Sequence, residues 1–294
     1  MKKKIFVLAL IGILSLGLLA GCASQEEEEA QEEITLGYVQ WACAEASTHL
    51  MQEVFTQMGY EVETPVLQAG AMYEGLAGGE LDAITTAWLP VTHQSYWEEY
   101  GANLTDLGTI MEGAKLGLVV PEYVEIDTIE EMKNNPEMFD REIVGIDPGA
   151  GIMQIAQDEV IPTYELEDWD LHESSGPAMV ASLEGAIDQE EPIVVTGWAP
   201  HWKFASYDVK FLDDPKEAFG EAEIVKALGH DSIEEELPIA AEVLSNLELT
   251  SEQLGEIMLL IEEGMAPEEA AEEYVDNNLD LINSWLPEEH QLEK

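Results

Sequence analysis

The sequence predicts an α/β protein of two lobes with a ligand cleft between them. Strand-like and helix-like segments alternate from Ile34 to Trp88 and again from Thr128 to Thr196, and such alternation builds a parallel sheet with helices on its faces. Between the two sets, Lys115 to Pro121 is an apolar run that leaves the first, and Val209 to Leu212 reads as a strand returning to it. Three tryptophans, Trp41, Trp88 and Trp198, stand in short runs that read as binding loops, two of them after β-branched segments. Open α/β sheets bind ligands beyond the carboxyl ends of their strands, so the three indoles are candidates for one cleft.

The chain opens with Lys2, Lys3 and Lys4, then an uncharged apolar stretch from Ile5 to Ala20. A membrane span needs roughly 20 apolar residues, so residues 1–21 read as a secretory signal peptide. Leu19-Ala20-Gly21-Cys22 resembles a bacterial lipobox. That resemblance implies that Cys22 becomes the first mature residue and carries lipid; an ordinary signal peptide that happens to contain a cysteine is the plainer alternative. Residues 22–33 hold Glu26 to Glu29, Glu32 and Glu33 and no bulky apolar side chain. Like charges in a row cannot bury a core, so this segment reads as a solvated tether.

The folded body starts near Ile34. Ile34 to Val39 reads as a strand, and Ala44 to Met58, with Leu50, Val54 and Phe55 at helical spacing, as a helix broken at Gly59-Tyr60. Glu61 to Leu67 is a weaker strand because Pro65 interrupts it. Met72 to Ala77 is helical, Gly78-Gly79 stops it, and Leu81 to Trp88 is a third strand. In the second set Thr128 to Met132 is a short helix with Asp127 placed to cap it. Ile143 to Ile146 is a strand, Asp147 to Gly151 a tight loop, and Ile152 opens a helix. Met179 to Ile187 is helical and Ile193 to Thr196 a strand.

The tail from Leu237 is helical. Thr250-Ser251-Glu252-Gln253 is a capping box. Leu254, Ile257, Met258 and Ile261 make one apolar stripe, Gly264 ends that helix, and Pro267 suits the first turn of the next. Ala270, Ala271, Tyr274 and Val275 form its buried face. The resulting plan assigns 34–118 and 211–294 to lobe 1, with the tail packed on it, and 119–210 to lobe 2.

Charge narrows the function. There are 11 basic and 62 acidic residues, a net charge of −51; losing Lys2, Lys3 and Lys4 with the signal peptide leaves 8 basic residues and −54. Such a surface repels nucleic acid and anionic headgroups. It also repels itself, which salt screens within a Debye length of roughly 8 Å at physiological strength; an exported protein working in brine fits that composition. With Cys22 taken, Cys43 has no disulfide partner. It reads as a small buried thiol, with His49 the nearest base should it be a nucleophile. His49, His93, His172, His201, His230 and His290 lack metal-ligand spacing, and Gly149-Ala150-Gly151 lacks the lysine of a P-loop, so no metal or cofactor is expected. Trp97, Trp169 and Trp285 read as core, and Trp202 as pointing away from Trp198.

Several indoles in one cleft make an aromatic cage, whose natural guest is a quaternary ammonium. Such a cation has no N–H to donate, so hydrogen-bonding side chains cannot grip it, whereas indole faces attract it by roughly 0.5–2 kcal/mol each. Four runs in order then resemble the glycine-betaine-binding proteins of ABC importers. They are Ala87-Trp88-Leu89-Pro90-Val91-Thr92-His93, Gly113 to Pro121, Gly145-Ile146-Asp147-Pro148-Gly149-Ala150-Gly151-Ile152 and Val195-Thr196-Gly197-Trp198-Ala199-Pro200-His201-Trp202. The resemblance covers nearly the whole body.

It implies a type II periplasmic-binding-protein fold. It implies that Trp41, Trp88 and Trp198 hold a trimethylammonium, two from one lobe and one from the other. It also implies that His201 and the backbone amides of Gly151 and Ile152 hold the carboxylate. The chemistry is consistent: Gly151 presents no side chain to an approaching ligand, and amides at a helix start favour anions. The expected partners are glycine betaine or a similar zwitterion, an ABC permease with its ATPase subunit, and the membrane through lipid on Cys22. No nucleic acid is expected, and the chain is taken to act as a monomer on the outer face of the cell membrane. Ala42-Cys43 stands where the family commonly has a small polar or acidic pair, which leaves choline, carnitine and proline betaine open as ligands. A sensor of osmolytes remains a further option. An exported hydrolase using Cys43 or a serine with His49 or His201 is the alternative from another class, although the chain has no G-x-S-x-G elbow.

Overall fold

The computed structural model describes residues 32–293; the signal peptide, Cys22 and most of the tether lie outside the described residues. The body begins with β1 (Glu33–Thr35), which pairs in parallel with β2 (Glu61–Glu63) on the far side of α1 (Ala42–Met58). Beyond β1 the expected strand continues only as single bridges, at Leu36 and Tyr38. Next come α2 (Ala69–Gly78), β3 (Ala83–Leu89) and α3 (Gln94–Tyr100). All seven residues of β3 are buried. The 18-residue β4 (Leu104–Pro121) follows.

The second alternating set contains α4 (Ile129–Met132), β5 (Glu142–Val144) and α5 (Gly151–Ile155), which continues through a π-helical turn at Ala156–Val160 into α6 (Ile161–Thr163). Then come β6 (Asp170–His172), α7 (Gly176–Gln189), β7 (Val195–Ala199), α8 (Lys203–Ser206) and β8 (Val209–Phe211). The chain closes with β9 (Glu223–His230), α9 (Ile233–Glu236), α10 (Pro238–Asn246), α11 (Ser251–Glu262), α12 (Pro267–Asn277) and α13 (Leu279–Asn283).

The large sheet runs β3-β9-β4-β7-β5-β6, with β8 added on β4. It is mixed, not parallel. β4 is antiparallel to β9 from Leu104 to Ala114, to β7 from Lys115 to Val119 and to β8 from Val119 to Pro121. Only β5 with β6 and β5 with β7 are parallel. The departure has two causes. One long strand serves both halves of the sheet, and β9, which follows a charged loop and has no helix before it to mark the pattern, inserts antiparallel between β3 and β4.

Helices cover the sheet. Leu50, Val54 and Phe55 of α1 are fully buried, and Ser47 Oγ meets Thr85 Oγ1 at 2.8 Å, tying α1 to β3. α11 and α12 pack on α1, and α10 on β4. The N-cap of α4 is Thr128, not Asp127: Thr128 and Glu131 form a capping box, and the Glu131 carboxylate accepts from the amides of both Asp127 and Thr128. Trp169 and Trp285 are buried as expected, while Trp97 is only half-buried against the core. No helix among the described residues is long and apolar enough to cross a membrane.

Candidate functional site

Each tryptophan is delivered by a different junction of the fold. Trp41 is the N-cap of α1, in extended conformation at φ −103° and ψ 138°. Trp88 is the penultimate residue of β3, and Trp198 that of β7, so Trp198 lies within its strand and not beyond it. In register, Trp88 faces Val225 of β9 and Trp198 faces Leu116 of β4. Both strands end at a cis X-Pro peptide, Leu89-Pro90 and Ala199-Pro200.

The three indoles share one small cavity, together with Cys43, Thr92, His93, Leu116, Ile146, Ala150, Gly151 and Ile152. Trp41, Trp88 and Trp198 are each more than nine-tenths buried.

Hydrogen bonds fix the ring positions. The Trp41 indole N–H donates to Asp147 Oδ2 at 2.9 Å, a contact between the start of α1 and the loop before α5. The other Asp147 oxygen is buried without a partner. His93 lies stacked on Trp41 at 5.7 Å between ring centroids, and its Nδ1 accepts the backbone N–H of Trp88 at 3.1 Å and touches the Tyr73 hydroxyl at 3.0 Å. Since Nδ1 accepts an amide proton, the ring proton sits on Nε2. Burial lowers the His93 pKa to about 3, so the ring is neutral and braces the Trp41 indole and the Trp88 backbone. The Cys43 thiol is pushed up to about 11, first by burial, with the Trp198 indole N–H beside it acting the other way.

Gly151 and Ile152 open α5, after Ala150 as a cap with no side-chain bond. As first residues of the helix their amides have no intrahelical acceptor. A Cβ on Gly151 would stand 1.9 Å from the Thr92 carbonyl oxygen, so only glycine permits this approach. Tyr96 donates to the Gly149 carbonyl at 2.6 Å and Ser95 to Gln154 Oε1 at 3.0 Å, clasping α3 to the same loop and helix.

His201 is placed differently from the other candidates. It does not line this cavity but an adjoining one, with Gln40, Glu45, Glu184, Trp202 and Glu262; Trp198 lines both. Its ring meets Trp198 edge to face at 4.9 Å and Trp202 at 5.3 Å. His201 Nδ1 accepts the Lys203 amide at 3.1 Å, so Nε2 carries the proton. Burial, then the nearby Lys203, hold its pKa well below the ordinary histidine value. Cys43 and His49 form no dyad: His49 contacts Gln52 and Tyr38. Among the described residues no group of three or more His, Cys, Asp or Glu side chains is placed to hold a metal ion.

The sequence did not single out His93 as a cavity residue, nor Thr92, Leu116 or Ile146. His93 sits five residues after Trp88, and only the turn at Pro90 brings its ring back to the Trp88 backbone amide. Asp147 lay in a recognised run, but its bond to Trp41 spans 106 residues and has no local signal.

Residues 32–277 match the family described as the substrate-binding domain of ABC-type glycine betaine transport systems. The chain is 43% identical over 155 residues to the glycine betaine/carnitine transport binding protein of Listeria monocytogenes, a match that covers 52% of this chain and 51% of that relative. It thus spans about half the length of that relative. Among solved structures, it superposes with a TM-score of 0.84 on the lactococcal protein OpuAC in its closed-liganded conformation with glycine betaine. That pair is 34% identical and covers 87% of this chain and all of the other. An ABC-transporter choline-binding protein in complex with choline gives a TM-score of 0.80 at 25% identity, over 86% of this chain and 91% of the other.

Proposed function

The chain belongs to the family of substrate-binding domains of ABC-type glycine betaine transport systems, and from that membership we propose that it captures glycine betaine, or a similar quaternary ammonium zwitterion, and delivers it to a membrane permease driven by an ATPase on other chains. The family is extracytoplasmic and consists of binding proteins, not enzymes, and its overall architecture is that of type II periplasmic binding proteins. Lipid on Cys22 would keep the receptor beside its permease, and the acidic surface would suit uptake of a compatible solute in brine.

The observation that carries the reading is the convergence of Trp41, Trp88 and Trp198 on one small cavity with the amide end of α5 in its wall. Indole faces take the trimethylammonium and the amides of Gly151 and Ile152 take the carboxylate. We assign 34–118 and 211–294 to one lobe and 119–210 to the other, joined through β4. Closure of the lobes excludes water and strengthens each contact, with Asp147 on Trp41 and Gly149 on Tyr96 as its latches. His201, neutral and carrying its proton on Nε2, supplies a third donor to the carboxylate if the Trp198 turn rotates it past the indole. One observation favours choline as a second reading: the cavity wall is formed mostly of carbon, and His201 is not in it.

Isothermal titration of residues 23–294 in molar salt decides between them. Micromolar betaine binding, about −8 kcal/mol, is expected. It should weaken at least roughly tenfold in both Trp88→Ala and His201→Ala, a loss of about 1.4 kcal/mol each. Betaine and choline bound equally, with His201→Ala silent, would make the protein a choline-type receptor. No heat with either ligand would remove the functional reading and leave the fold.

A further inference from the structure

Lys203, the first residue of α8, is fully buried, and its Nζ has no hydrogen-bond partner. The described body has seven basic residues. Five of them are in ion pairs, and Lys115 lies over the Phe211 ring. Of these Lys203 alone is sealed inside, in a chain with 62 acidic residues, and no carboxylate among the described residues pairs with its ammonium. What it has instead is an aromatic ring: Nζ stands 4.6 Å from the centroid of Trp198 and 5.4 Å from that of Phe204. Trp198 lines the cavity and Lys203 does not, so the indole stands between the ammonium and the space a ligand would fill.

We propose that Lys203 sets ligand preference: its charge, held against the back of a cage indole, selects zwitterions and disfavours ligands of net positive charge. The inference rests on the cage reading given above. One indole then serves two cations. A ligand ammonium on the cavity side is repelled by Lys203 through a ring that offers no screening water. In a zwitterion the carboxylate is attracted by the same charge, so the two effects largely offset. In choline nothing offsets the repulsion.

The surroundings leave Lys203 as the one variable charge of the cluster. Cys43 faces it from α1, Trp198 and Gly197 from β7, Phe204 from its own helix, His201 from the turn before it, and Val119 from β4 beside Gly197. Of these only Cys43 and His201 titrate. Burial keeps the thiol protonated up to about 11, and His201 is neutral well below its ordinary range. Burial brings Lys203 itself down to about 7. The sign follows: below that value the ammonium is charged and opposes a cation, and above it the amine is neutral and does not.

The test is titration calorimetry of residues 23–294 with glycine betaine and with choline, in constant molar salt, at about pH 6 and about pH 8.5, the two sides of the Lys203 titration. Neither ligand changes charge in that interval, and buried charges are little screened by salt. In the wild type, choline affinity should rise roughly tenfold from the lower to the higher pH, with betaine changing less than about threefold. Lys203→Met should bind choline roughly tenfold tighter than the wild type at the lower pH and lose the pH dependence. A betaine-to-choline preference that is the same in both proteins and at both pH values overturns the proposal. If Lys203→Met does not fold, the wild-type pH series alone decides. A wild type that binds neither ligand overturns the cage reading itself, a result distinct from binding without discrimination.

Discussion

At the residue scale the site depends on a few positions where one atom more or less changes what the fold can do. Gly151 is the sharpest case. Its Cβ would meet a backbone carbonyl at 1.9 Å, and backbone cannot rotate aside as a flexible side chain can. Gly151→Ala should therefore block the approach of α5 to Thr92. We expect betaine affinity to fall at least roughly a hundredfold, about 2.7 kcal/mol. The thermal midpoint of the unliganded protein should change little, because open lobes relieve the clash. Calorimetric titration beside a thermal melt checks this; a Gly151→Ala protein that binds normally would mean that the contact is not part of the binding conformation. His93 shows the complementary case, a neutral buried imidazole whose value lies in its two neighbours, Trp41 above it and the Trp88 amide beside it. The sequence places it in a matched run without a ligand contact, because a histidine at the N-cap position of a helix gives no sign of which way its ring folds.

At the element scale, the capping box that opens α11 is complete. Thr250 Oγ1 accepts the Gln253 amide at 3.1 Å, and Gln253 Oε1 accepts the Thr250 amide at 2.8 Å. Neither residue touches the cavity, while α11 packs on α1, whose N-cap is Trp41. Thr250→Ala should cost about 1 kcal/mol of stability, seen as a lower urea midpoint, and leave ligand affinity within about twofold. A large loss of affinity would instead mean that α11 controls the position of Trp41. β4 is the other decisive element. Because its first eleven residues pair with β9 and its last seven with β7 and β8, the strand ties the two halves of the sheet together, and its Leu116 lines the cavity.

At the scale of the whole molecule, charge dominates. Five basic side chains of the described body pair with carboxylates, and most acidic residues therefore face only solvent and one another. Self-repulsion of this kind falls as salt shortens the Debye length from roughly 8 Å to about 3 Å at 1 M. Urea unfolding in about 0.15 M and in molar salt should thus show a higher midpoint in the latter. Equal midpoints would count against adaptation to brine. Since Lys203 is buried, its effect on ligand choice should persist at either salt, which separates the local field from the surface field.

The sequence by itself determined the alternation of elements, the places of the long helices, the capping box of α11, the acidity and the three indoles. All of these are local or additive: periodicity, cap chemistry and net charge are readable within a few residues. It did not determine that the large sheet is mixed, with β4 antiparallel to all its neighbours, because pairing partners such as Leu104 with His230 are set by where distant strands find room. Nor could it show that Asp147 holds Trp41 across 106 residues, that His93 stacks on Trp41, or that His201 lines the adjoining cavity. Lys203 makes the division plainest. In the sequence it is one lysine among few, with every reason to lie on an acidic surface. Only the turn after β7 and the packing of α8 against Trp198 place its side chain inside the protein, behind an indole that lines the cavity, because burial depends on contacts that no local pattern records.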